Sequence, residues 1–283
     1  MLRFHRRGVI NLFGSLRAAA LLVFLIVPSA VDAQLRPLEP MDWTALNGGA
    51  ARIEMRVGYL NAQRASLAGT EGQLFEVGEV RATVPVHGVL LELAGTPQRY
   101  LFDEEVFAAP TGDAQAPSSD RRRHDSGDYR VGAAFRLAQP GAVDVVLRFG
   151  TRLPTTDNRI GLERDQTDFY GLLGGGWKTG RVAVGAEAGV GIHGTRISTY
   201  EQSDVLLYAV RAELVSGSLA PHVVLTGQND LKSREIRGNE DLSEVRLGLT
   251  LGKTRWLTAS LVAGLTEFSP EWGLLVGGGF ELR

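Results

Sequence analysis

Fifteen charged side chains fall at alternate positions within otherwise apolar segments: Arg52, Glu54 and Arg56; Glu79 and Arg81; Asp128 and Arg130; Asp144 and Arg148; Arg181 and Glu187; Arg211 and Glu213; Glu244 and Arg246. Side chains two apart on an extended chain share a face, so these charges belong to one polar face of several strands. Their chemistry is electrostatic. Rings of charge around an aqueous path select which solutes pass. An arginine-rich set of mixed sign also pairs with itself and fills a narrow lumen, and the even mixture of signs favours that outcome for most members. The set offered as lumen-lining is Arg52, Glu54, Arg56, Arg81, Arg130, Asp144, Arg148, Arg181, Glu187, Arg211, Glu213, Glu244 and Arg246.

Other reactive types are sparse. With no cysteine there is no thiol chemistry, disulfide or thiolate metal site. His222, with Thr226 and Ser260 nearby in the pattern, and His193, with Glu187 on the same face, are the histidines placed for a hydrolase. Nothing in the spacing fixes a nucleophile–base hydrogen bond, so no enzyme and no catalytic residue is expected. Asp157, Glu163, Asp165 and Asp168 could gather around a hard cation, but their spacing matches no calcium loop. No metal or other cofactor is expected. Arg121, Arg122 and Arg123 could meet lipopolysaccharide phosphates, although a solvated charge run is the commoner meaning. Gly174–Gly176 and Gly277–Gly279 precede no helix and are not phosphate loops; they suit a flattened wall against which side chains pack.

The elements that carry these residues are strands. In the stretch from Gly141 to Gly194, Val143, Val145, Leu147 and Phe149 oppose Asp144 and Arg148. Further on, Val182, Val184, Ala186, Ala188, Val190 and Ile192 oppose Arg181, Gly185, Glu187, Gly191 and His193. A water-soluble sandwich core would reject one of those faces. A closed barrel with lipid outside and a polar lumen accepts both. The same pattern recurs near Arg52–Tyr59, Phe75–Val84, Val89–Leu93, Asp128–Leu137, Thr167–Trp177, Leu206–Leu214, Leu219–Gln228, Glu244–Leu251, Trp256–Gly264 and Trp272–Leu282. That gives twelve strands. The connections alternate between long and about three residues, as external loops and periplasmic turns do; the short stretch from Thr266 to Pro270 is the exception. The fold class is therefore an all-β, transmembrane, antiparallel up-and-down β-barrel in a Gram-negative outer membrane. Trp177, Trp256, Trp272, Tyr129 and Phe280 lie near strand ends, where rings favour the headgroup region.

Residues 1–33 read as a secretory signal: Arg3, Arg6, Arg7 and Arg17, an apolar run from Ala18 to Val27, then Val31-Asp32-Ala33 as the cleavage pattern. Residues 34–48 lack periodicity and are expected to be a periplasmic tail, with Trp43 unexplained; residues 49–283 form the barrel. The polar stretch from Gly95 to Gly127 is expected to be a mobile external loop. Of 30 basic and 32 acidic residues, 26 and 31 remain once four arginines and Asp32 of residues 1–33 are set aside. The mature excess of acid argues against nucleic acid as a partner. A mean hydropathy of −0.02 suits strands that hide half their residues in polar form.

Ser126-Gly127-Asp128, the run from Arg148 to Thr155, Gly161, Gln166-Thr167-Asp168-Phe169 and Phe268-Ser269-Pro270-Glu271-Trp272 occur in an order that resembles the outer-membrane barrels of the meta-pathway of phenol degradation. The resemblance spans about Phe75 to Phe280. It implies an outer-membrane barrel acting as a passive route for small molecules, aromatic or apolar ones among them. It transfers no catalytic residues. The sequence departs from it in ending Glu281-Leu282-Arg283 after Phe280, where an aromatic end is usual. The partners that follow are outer-membrane lipid, lipopolysaccharide and an unidentified solute. The alternatives are a structural or adhesion barrel acting through its external loops, and an outer-membrane barrel hydrolase.

Overall fold

The structure is a computed structural model that describes residues 35–282 apart from 112–113, 117–120, 158, 165, 195–201 and 232–236; the expected signal segment lies outside the described residues. The described strands are β1 (Ala51–Ala65), β2 (Thr70–Val86), β3 (Val89–Gly95), β4 (Gln98–Val106), β5 (Arg122–Asp125), β6 (Tyr129–Ala138), β7 (Val143–Leu153), β8 (Asp168–Thr179), β9 (Val182–Gly194), β10 (Gln202–Leu214), β11 (Leu219–Asp230), β12 (Leu242–Gly252), β13 (Arg255–Gly264) and β14 (Trp272–Leu282). One short helix, α1 (Trp43–Gly48), precedes them.

Twelve of these strands close a barrel. Each pairs antiparallel with its sequence neighbours, β3 passing directly to β6, and β1 hydrogen-bonds both β2 and β14. Closure pairs both edges of each of these twelve strands, as a wall exposed to hydrocarbon requires. The alternation read from the sequence sets the faces: Leu247 and Leu261, directly paired, are 62 % and 61 % exposed, whereas Arg148 and Glu187 are 4 % and 6 % exposed. Apolar side chains cover the outside and charges fill the inside, which is the outer-membrane barrel arrangement.

Two expectations change. β1 and β2 are 15 and 17 residues long and meet at the tight turn 66–69, so no long loop joins them. The Gly95–Gly127 stretch is built rather than loose. After a break at Thr96-Pro97, β4 continues the wall along the outer half of β2, and β5 pairs with β4. Proline at the break cannot donate to a ladder, which ends β3 there. Arg123, expected in a solvated run, is buried against Asp103 at 3.0 Å and donates to the carbonyls of Gln115 and Ile160. Arg121 and Arg122 remain on the surface.

A further departure lies within β2. Gly78 has φ +75° and marks a bulge opposite the Arg56–Val57 step of β1. An extra residue reverses which face the following side chains take. Glu79, Arg81 and Thr83 point inward by odd number, yet before the bulge it is Leu74 and Glu76 that point inward.

Candidate functional site

The lumen is occupied by the chain itself. The segment expected as a periplasmic tail enters the described structure near the external end and runs down to the start of β1. Leu35 is buried among Leu60, Leu74, Leu101, Leu162 and Leu275 beneath the external loops. Arg36 then reaches Glu76 at 3.0 Å and Glu244 at 2.7 Å. The Leu38 carbonyl accepts from Thr226 Oγ1 at 2.7 Å, while the Leu38 side chain packs on Leu172, Val205 and Leu207. Glu39 lies between Arg246, 2.6 Å, and Arg56, 3.2 Å, and its carbonyl accepts from Arg148 at 3.0 Å. The Pro40 carbonyl accepts from Arg81, and the Met41 amide donates to Glu187 Oε1 at 2.9 Å. Asp42 pairs with Arg52 at 2.7 Å.

Below this, Trp43 rests on a floor without side chains. Inward-facing Gly174, Gly176 and Gly185 lie under its ring, and a Cβ at Gly176 or Gly185 would overlap it. Met41, Ala45 and Leu46 pack with Leu90, Ala134 and Val146. The segment lacks periodicity because its extended peptide groups bond to wall side chains, not to a neighbouring strand. The charges of Arg36 and Glu39 match acidic and basic patches of the wall. The glycines of β8 and β9 therefore account for Trp43, which has no role legible in the sequence.

Of the residues expected in the lumen, Arg52, Glu54, Arg56, Arg81, Arg130, Asp144, Arg148, Glu187, Arg211, Glu213, Glu244 and Arg246 occupy inward positions of their strands. Arg181 does not; it is exposed in the turn before β9, where the ladder has ended. Arg148 is a hub: Nε donates to Glu92 at 2.6 Å, and Nη1 donates to Glu187 at 2.7 Å as well as to the Glu39 carbonyl. Arg136 pairs with Asp144 at 2.8 Å, Arg211 with Glu213 at 2.7 Å, and Arg56 also with Glu79.

Sequence reasoning missed Arg36, Glu39, Glu76, Glu92, Arg99 and Arg152. The phase change at Gly78 hides Glu76. Glu92 is a single acid inside a leucine run, and Arg99 lies in the stretch expected to be loop. Arg99 and Arg152 close the external half. Arg99 bridges Glu76, 2.8 Å, and Glu163; Arg152 bridges Asp128, 2.7 Å, and Asp168, 2.6 Å; Arg164 also reaches Asp168 at 2.6 Å.

That network engages two of the acids weighed as a cation site. Glu163 and Asp168 are held by arginines, Asp157 pairs with Arg159 at 2.6 Å, and Asp165 lies outside the described residues. Among the described residues, no three His, Asp or Glu side chains converge as metal ligands. His193 faces Asn239 at 3.2 Å and Asp168 at 3.8 Å, while Glu187 is committed to Arg148 and Met41. His222 Nε2 lies 3.4 Å from Ser260 Oγ, but its Nδ1 faces the Ala220 carbonyl at 3.4 Å, not a carboxylate, and Thr226 is bonded to the segment. Trp256, expected at the lipid boundary, turns inward and brings Nε1 to Glu54 at 3.3 Å; Trp177, Trp272 and Phe280 face outward.

The two ends differ. Toward the periplasm the short turns frame a vestibule of about 550 Å³, which meets the lumen at Arg52, Glu213, Thr250 and Trp256. Toward the outside, the arginine–carboxylate network crosses the lumen.

Among solved structures, the chain is similar to the COG4313 outer membrane channel from Pseudomonas putida F1, at 14 % identity and TM-score 0.60, over 87 % of this chain and 100 % of that one. The transport unit of the autotransporter AIDA-I from Escherichia coli aligns at 9 % identity and TM-score 0.47, over 88 % and 95 % of the two chains. Outer membrane phospholipase A from Escherichia coli aligns at 12 % and 0.43, over 82 % and 90 %. No family model matches the sequence, and no curated protein does. The first similarity covers the barrel end to end and shows a shared fold.

Proposed function

We propose that the protein is a passive outer-membrane route for small molecules whose lumen is occupied, at rest, by its own residues 35–50. The observation that carries this is the way the segment is held: ion pairs, wall-to-backbone hydrogen bonds and a glycine-floored indole, none of them covalent. A structural barrel needs no such removable filling; it could fill its lumen with wall side chains alone. The channel with the same fold and the motif order resembling the barrels of the meta-pathway of phenol degradation both support a solute-conducting role. In that reading the solute is small, with aromatic or apolar compounds included. The lumen charges named above form its lining once the segment moves. In this reading the barrel conducts a solute and does not catalyse.

The test compares the full chain with a variant lacking residues 35–46 in planar bilayers. Passage predicts small or brief currents from the full chain and steady conductance from the truncated one. A folded truncated barrel without conductance overturns the proposal. It favours the alternative of a structural or adhesion barrel working through its external β4–β5 hairpin.

A further inference from the structure

Beside the segment, within the periplasmic half of the lumen, is a second, smaller chamber of about 100 Å³. Arg52, Glu213, Thr250 and Trp256 line both it and the vestibule, so the two adjoin. An apolar protein cavity of about 150 Å³ is large enough to hold benzene, so this space suits a molecule of a few heavy atoms. One wall is the residue set Glu39 to Asp42; the opposite wall is β11, β12 and β13.

The chemistry of the walls is specific. Thr250, Thr258 and Ser260 present hydroxyls on neighbouring strands, with His222 beside them. Their mutual contacts are long: Thr250 to Thr258 and Ser260 to His222 are each 3.4 Å. Groups at that separation retain most of their hydrogen-bonding capacity. Thr83 also lines the chamber. The Trp256 ring, with Arg52 4.3 Å from its centroid, supplies one flat apolar surface.

Charge excludes ions in both directions. The arginines of the wall each face an acid: Arg52 with Asp42, Arg56 with Glu39 and Glu79, Arg81 with Glu92, Arg211 with Glu213, and Arg246 with Glu39. An anion would meet the carboxylates without gaining an uncommitted cation, and a cation would meet the arginines. A neutral molecule avoids both penalties.

We propose that this chamber is a binding site, open to the periplasm while residues 35–50 are in place, for a small neutral molecule bearing several hydroxyl groups, of the size of a three- or four-carbon polyol. The site does not depend on passage across the barrel.

The absence of native cysteine makes a thiol test direct. The full chain carrying Ser260→Cys, or Thr258→Cys as a second position, is treated with methanethiosulfonates bearing a hydroxyethyl, a sulfonatoethyl or a trimethylammonioethyl group. Ser218→Cys in the vestibule serves as reference. Relative to that reference, the neutral reagent should react with the chamber thiols at least about tenfold faster than either ion, because each ion must give up its hydration among like charges. Erythritol should slow the neutral reaction at Ser260→Cys saturably, and adding Thr250→Val should weaken that protection. Equal rates for the three reagents at both positions, no reaction at either position, or reaction that erythritol does not slow would overturn the assignment. None of these outcomes bears on conductance of the truncated barrel, so the two readings fail separately.

Discussion

Replacing Gly185 by alanine should loosen the lumen segment without altering any residue of that segment. A Cβ at this position would overlap the Trp43 indole, and the ring already rests on Gly176 and Gly174 of the adjoining strand. The ring must therefore lift. An aromatic side chain buries about 150–250 Å² when fully enclosed. At about 25 cal/mol per Å² that is worth about 4–6 kcal/mol. Trp43 is half-buried, and a displaced ring keeps part of its contact, so about 2 kcal/mol is the expected loss. That corresponds to an increase of roughly thirtyfold in the fraction of barrels with the segment released. Leu38, buried against Leu172, Val205 and Leu207, reports the event: Leu38→Cys becomes reactive only when the segment leaves. The assay is the modification rate of Leu38→Cys by a neutral thiol reagent, with and without Gly185→Ala. Gly171→Ala is the control, since a Cβ there meets no atom within 4 Å. A rate within about twofold of the parent in folded Gly185→Ala protein would refute the reasoning, because about 2 kcal/mol cannot vanish into the wall unnoticed.

Arg148→Met removes the hub that joins Glu92, Glu187 and the Glu39 carbonyl. Losing one partner of a buried ionic set costs about 3–5 kcal/mol in dry surroundings and less where water enters. The expected result is a lower denaturant midpoint together with larger conductance and a shifted ion preference; an unchanged preference would remove Arg148 from the lining. Leu247→Arg or Leu261→Arg, on the lipid face, should cost about 2–4 kcal/mol at mid-bilayer depth, read as reversible unfolding in lipid. Indifference to both would contradict the assigned outer surface. Asp125, on the external β5, carries a carboxyl pushed up to about 7 by burial, against two backbone N–H donors from Ser126 and Asp157 that favour the anion. Because its ordinary value is about 3.9, the folded hairpin holds a proton between roughly pH 4 and 7 that the unfolded chain has lost. Its contribution is therefore greatest at the acid end and falls as pH rises through that window. The amide resonances of Ser126 and Asp157 should titrate with a midpoint near 7 and stay flat in Asp125→Asn; a midpoint below about 5 would refute the shift.

The barrel itself is legible before folding because period two is a property of single strands. Val145 and Arg148, or Leu247 and Arg246, declare their opposite faces from sequence separation alone, and the count of such alternating segments supplies the strand number. Closure then follows from the need to pair every backbone group in hydrocarbon. What fills the lumen obeys no such period. Residues 35–50 bond to side chains from most of the circumference, and those partners are distant in sequence: Arg36 meets Glu76 and Glu244, while Met41 meets Glu187. Nor does one strand reveal where its phase will slip, so Gly78 conceals Glu76. The inward turn of Trp256 and the glycine floor beneath Trp43 likewise depend on side chains of neighbouring strands meeting across a finite width. Alternation is decided locally by backbone geometry, whereas occupancy of the lumen is decided by complementarity between surfaces that exist only once the barrel has closed.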